Sequence, residues 1–123
     1  MILFNSKITE ILQKALNEQY MDSVLISSCG IGFKFCDVNI HCNERVYASI
    51  NGNNYQWEDS PNSAPWGSLV RQRFSNVSLF APNLLRITFQ FGDYIEIESV
   101  ESQYESVIIN FPSNGEEIIM ETF

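Results

Sequence analysis

The sequence predicts an α+β fold, a mainly antiparallel sheet of about six or seven strands with two helices packed on it. Three observations carry this. An N-terminal segment repeats its apolar residues with helical period. Most later apolar segments are short or alternate with period two. The residues between them suit hairpin turns. With 123 residues, 45% hydrophobic and 13% aromatic, the chain has the size of one domain, taken as 1–123. Nine Phe, two Trp and five Tyr exclude a disordered chain.

Residues 6–19 are expected to be the first helix. Ile8, Ile11, Leu12, Ala15 and Leu16 form its apolar stripe, and Asn5 or Ser6 can cap it. Its other face is polar: Lys7, Glu10, Gln13, Lys14 and Asn17. Residues 23–28 and 31–42 read as strands. Phe33 and Phe35 share one parity and Val38, Ile40 and Cys42 the other, so a bulge or a break into two strands is expected at Cys36-Asp37. Residues 45–50 and 55–58 form a hairpin around Asn51-Gly52-Asn53-Asn54, with Val46, Ala48 and Ile50 facing the same way as Tyr55 and Trp57.

After the loop 59–63, residues 64–74 are expected to be the second helix. Ser63 would cap it, Pro65 suits its first turn, and Trp66, Leu69, Val70 and Phe74 form the stripe, with Arg71 and Arg73 in the last turn. The remaining candidates are strands: 77–80, 84–91, 95–100, 105–111 and 117–122. A three-residue loop, Gly92-Asp93-Tyr94, would pair Phe91 with Ile95 and Phe89 with Ile97, which keeps the apolar faces together. Arg86, Thr88 and Gln90 then stand opposite Glu98 and Glu96, and Tyr94 sits at the tip. Pro112-Ser113-Asn114-Gly115 suits a last turn that pairs Ile109 with Ile118 and Val107 with Met120. Val107-Ile108-Ile109 is apolar on both faces, as for a central strand covered by a helix.

The net charge is −8 and it is unevenly placed. Residues 1–86 hold seven basic and seven acidic side chains, whereas residues 87–123 hold eight acidic ones and no Lys or Arg. Such a field disfavours nucleic acid and anionic membranes and favours a basic partner. No apolar run reaches the about 20 residues of a membrane span. Met1-Ile2-Leu3-Phe4 is followed at once by polar residues, so no secretory signal is expected. Cys29, Cys36 and Cys42 are then read as reduced thiols in a cytoplasmic protein.

Motifs for catalysis are absent. His41 and Cys42 are strand neighbours and would point to opposite faces, which a nucleophile pair cannot do. Cys29 or Cys36 could still approach His41 in space. The Cys29, Cys36, His41 and Cys42 spacings differ from those of a zinc site. Gly30-x-Gly32 has neither the third glycine nor the helix of a dinucleotide fingerprint. The acid pairs Glu96/Glu98, Glu101/Glu105 and Glu116/Glu117 sit on outward strand positions or in turns. No enzyme activity, cofactor or metal is expected.

Three segments, Trp66-Gly67-Ser68-Leu69-Val70, Leu84 through Ile97, and Tyr104-Glu105-Ser106-Val107, give a short helix, a strand and a hairpin ending in Tyr-Glu. In this half the chain resembles small bacterial immunity proteins of toxin systems, including contact-dependent growth inhibition. The family hairpin usually turns on Asp-Gly, where this chain has Gly92-Asp93. The resemblance implies a cytosolic binder that neutralises one cognate toxin, often a nuclease, and it carries over no catalytic residue. A monomer or weak homodimer is expected. Asp93, Glu96, Glu98, Glu101 and Glu105 are the acids expected to cover a basic active site, with Tyr94 as an aromatic anchor. A small-molecule or regulatory module with an apolar pocket lined by Trp57, Trp66 and Phe side chains is the alternative.

Overall fold

A computed structural model describes residues 3–28, 30–58, 64–100, 106–111 and 119–122. The chain runs α1 (Ser6–Leu16), β1 (Met21–Ile26), β2 (Ile31–Phe35), β3 (Asn39–Cys42), β4 (Arg45–Ile50), β5 (Asn53–Glu58), a 3-10 turn (Trp66–Leu69), β6 (Phe74–Ala81), β7 (Leu84–Phe89), β8 (Tyr94–Glu98), β9 (Val107–Phe111) and β10 (Ile119–Thr122). The strands form two five-stranded antiparallel sheets. The first sheet is ordered β1-β2-β3-β9-β10 and the second β5-β4-β8-β7-β6. The broad class stands, but among the described residues there are two sheets rather than one and a single α-helix rather than two.

The alternation that defines the strands also defines the core. Ile31, Phe33 and Phe35 on β2 and Val38, Ile40 and Cys42 at β3 are buried, and the expected break falls at Cys36-Asp37. From the second sheet Val46, Ala48, Ile50, Leu85, Ile87, Phe89, Ile95 and Ile97 point at the same core. Phe35 and Phe89 stack across the two sheets, centroids 6.2 Å apart and planes 14° from parallel.

Helix α1 is capped as expected, by Asn5 Oδ1 accepting from the Ile8 amide at 3.0 Å. It ends at Leu16, since Glu18 takes φ 66°. Ile8, Leu12 and Leu16 are buried. The helix packs along β6, and its polar side also bonds there. Gln13 accepts from the Val77 amide (3.0 Å) and donates to the Ser75 carbonyl (3.3 Å), which covers part of an exposed sheet edge.

The second helix is not formed. Trp66 and Leu69, three apart, are both buried by one 3-10 turn. Val70 is then extended and Arg71 enters the left-handed region at φ 74°. Backbone pairing with the start of β1 wins here. The Arg71 amide donates to Met21 O (2.7 Å), Met21 to Gln72 O (2.9 Å) and Phe74 to Gln19 O (2.9 Å). Ser63, the expected cap, lies outside the described residues.

Two registers also differ from expectation. In the β7–β8 hairpin Ile87 faces Ile95 and Leu85 faces Ile97, so Phe91 pairs with neither isoleucine. The loop spans Phe89 to Asp93, closed by the Phe89 amide on Asp93 O (2.8 Å) and the Gly92 amide on Phe89 O (3.1 Å). The Gln90 amide is drawn to Arg73 O (2.8 Å), which takes it out of the ladder. In the last pair Ile109 faces Glu121 and Phe111 faces Ile119, not Ile109 with Ile118 or Val107 with Met120. The turn proposed at 112–115 lies outside the described residues. β9 is internal to its sheet, between β3 and β10, as expected. Val107 and Ile109 are buried and Ile108 is half-buried, while α1 packs on the other sheet.

Candidate protein-binding face

The outer face of the second sheet follows from the same alternation. Arg45 and Tyr47 on β4, Tyr94, Glu96 and Glu98 on β8, and Arg86 on β7 occupy the outward positions. The register sets Tyr47 and Arg86 on either side of Glu96, and Arg45 beside Glu98.

Arg86 organises one half of the face. Its Nη2 and Nε donate to Glu96 Oε2 at 3.0 and 3.2 Å. Its guanidinium carbon lies 3.7 Å from the Phe80 ring centroid and 3.8 Å from that of Tyr94, so the cation is held between two aromatic rings. The Arg86 and Glu96 side chains are 23% and 15% exposed, shielded enough for the pair to resist screening by salt. In the other half Glu98 Oε2 accepts from Tyr47 Oη (3.2 Å) and Arg45 Nη1 (3.5 Å). Desolvation, and then the Glu98 charge, push the Tyr47 phenol up from its usual range.

Of the six residues read from the sequence as the site, the structure brings Tyr94, Glu96 and Glu98 together on this face. Glu101 and Glu105 lie outside the described residues. Ser106, at the end of the Tyr104-Glu105-Ser106-Val107 segment, is buried and donates toward Ser99 Oγ (3.5 Å) while accepting from the Val100 amide (3.2 Å). Two expectations need correction. Tyr94 stands within β8 under Arg86 rather than at the hairpin tip, where Phe91 is 91% exposed instead. Both glutamates are already paired with arginines, so these four charges balance.

Asp93 has a structural duty. Its Oδ1 accepts from the Asn51 amide (3.0 Å) and its Oδ2 from Gln72 Nε2 (2.9 Å), tying the β4–β5 turn, the β7–β8 turn and the segment before β6 into one corner. We expect Asp93→Ala to lower unfolding free energy by about 1–2 kcal/mol, since it removes two hydrogen bonds to a carboxylate, and Asp93→Asn to recover part of that. Urea titration of the three proteins checks this. A stability unchanged to within 0.5 kcal/mol (about the spread for neutral surface changes) would contradict the structural assignment.

Sequence reasoning missed Phe80 and Tyr47. Phe80 is 57% exposed because the β6–β7 register shifts between Leu79 and Ala81. The phase break was visible as Val77 and Leu79 on one parity and Phe80 on the other.

Trp57 and Trp66 are fully buried core residues, so they do not line an open pocket. Cys42 is buried beneath β3 while His41 points outward, and Cys36 rests near the Tyr20 carbonyl (Sγ···O 4.0 Å). Cys29 lies outside the described residues. Among the described residues no three His, Cys, Asp or Glu side chains are placed to hold a metal ion. No described helix is long and apolar enough to cross a membrane. Compared with known protein families, curated proteins and solved structures, the chain matches none.

Proposed function

We propose that the protein is a non-catalytic, cytoplasmic, immunity-type inhibitor, which binds a basic toxin domain (a nuclease being the leading class) through the outer face of the β5-β4-β8-β7-β6 sheet. The observation that carries the reading is the Phe80–Arg86–Tyr94 sandwich with its Glu96 and Glu98 neighbours. Tyr, Arg and Phe are the residue types that dominate interface energetics, and here their rotamers are fixed before any partner arrives.

Charge acts at two ranges. The net −8 draws a basic partner in from a distance. At contact the paired ladder lets the face be covered without burying an uncompensated charge, which is the costly event in polar interfaces. The resemblance of residues 66–70, 84–97 and 104–107 to immunity proteins supplies the toxin as partner.

The test is co-purification with the product of the neighbouring gene, followed by calorimetry on the complex. Phe80→Ala and Tyr94→Ala should each weaken Kd by about thirtyfold or more, equivalent to about 2 kcal/mol. A neighbouring product that is not a toxin, or affinities unchanged in both variants, would remove this reading.

A further inference from the structure

The outer face of the other sheet holds a groove of about 360 Å3, within the size range of small-molecule sites. Gly32 on β2 forms its floor. Leu25, its partner on β1, and His41, its partner on β3, form the walls.

The glycine is the informative residue. Glycine inside a strand loses more entropy on folding than other residues and packs nothing, and it commonly marks a bulge or a close approach by a ligand. There is no bulge at Gly32 itself, which pairs with His41 and Leu25 without a shift on either side; the bulge of the β1–β2 pair lies farther along, between Met21 and Ser23. Nor is the backbone one that demands glycine, since the glycines with positive φ are Gly52 and Gly92. A Cβ at Gly32 would meet His41 Nδ1 at 3.6 Å and Leu25 Cβ at 3.7 Å, both ordinary contacts. The fold would accept a side chain, and what that side chain would occupy is the groove. Gly30 has a different task. A Cβ there would stand 2.7 Å from both Cys42 O and His41 Nε2, so its absence lets the imidazole lie against β2.

The rim is rich in donors. Ser23, Lys34, Asn39 and Asn110 follow one another across β1, β2, β3 and β9. With His41 they make five polar side chains, and among the described residues none of the five forms a side-chain hydrogen bond or ion pair. Among the described residues no carboxylate lines the groove, although the chain has 15 acidic residues against seven basic ones. Leu25, 66% exposed, supplies an apolar wall.

We infer that this groove binds a small organic anion, a carboxylate or phosphate ester with an apolar ring-sized group. The anionic end meets Lys34, Asn39 and Asn110, and the apolar part lies on Gly32 between Leu25 and His41. This site is independent of the protein-binding face on the other sheet.

His41 is the chain's one histidine, so its ring protons report on the groove without assignment. At fixed pH, NMR titration with benzoate, phenyl phosphate and neutral benzyl alcohol is the experiment. A saturable His41 shift with at least one anion is expected, with benzyl alcohol about tenfold weaker or worse, and the stronger anion identifies the headgroup. Gly32→Val, which fills the floor, and Lys34→Gln should each weaken the anion by about tenfold, with Gly32→Ala as a milder version, while Phe80→Ala should leave it unchanged. No saturable shift with either anion up to about 10 mM would overturn the inference. So would equal binding of benzyl alcohol, or undiminished binding by both Gly32→Val and Lys34→Gln.

Discussion

Replacing Phe89 with alanine is expected to lower the unfolding free energy by about 3–5 kcal/mol, a large part of the roughly 5–15 kcal/mol typical of a domain. Phe89 is the last residue of β7 and is 1% exposed. Its ring stacks on Phe35 of the opposite sheet, and its backbone pairs with Phe74 of β6. Truncation therefore opens a void where the two sheets meet, and rigid backbones on both sides limit collapse into it. Urea denaturation at neutral pH measures the loss, and Phe89→Leu should restore about half of it. A loss under about 1 kcal/mol would mean that the sheets do not meet at this ring.

Stability is also expected to fall steeply above about pH 9. Cys42 is buried among apolar side chains, and desolvation raises its thiol far above the ordinary 9.0. The unfolded chain releases this proton near pH 9 while the folded chain keeps it. The folded state then binds more protons, and each further pH unit costs about 1.4 kcal/mol. The contribution is complete below the unfolded value and is lost as pH rises. Tyr47, shifted the same way, adds to the loss at higher pH. Urea midpoints from pH 8 to 11 under reductant, compared with Cys42→Ala, check this (the range spans the thiol's ordinary value, 9.0). The variant starts less stable from its small cavity, but its alkaline slope should be shallower by about one proton. Equal slopes would refute the assignment.

The sequence was informative wherever one residue and its near neighbours decided the outcome. The Asn5 cap, the Asn51-Gly52 turn and the inward sets on β2 to β5, β7 and β8, Phe91 excepted, read correctly, because each depends on local chemistry or on period-two alternation. Register did not. Moving the β7–β8 pairing by an even number of residues leaves every face unchanged, so alternation alone cannot distinguish Phe89 opposite Ile97 from Leu85 opposite Ile97. What decided it was distant: Asp93 held by Asn51 and Gln72, and Gln90 held by Arg73. The segment 64–74 failed for a similar reason. Trp66 and Leu69 fit a helical stripe, yet the edge of β1 competed for the backbone that follows. The division into two sheets was not legible either, since it rests on β3 pairing with β9 across more than half the chain.

The same β3–β9 pairing orders the events of folding. The second sheet is assembled from the continuous stretch between Arg45 and Glu98, so its strands can zip together once that stretch exists. The first sheet is split around it, with β1 to β3 ahead of that stretch and β9 and β10 behind. On the ribosome, β3 must therefore wait with one flank unmatched until residues 107–110 emerge, the interval in which such a chain is most open to pairing with a neighbour.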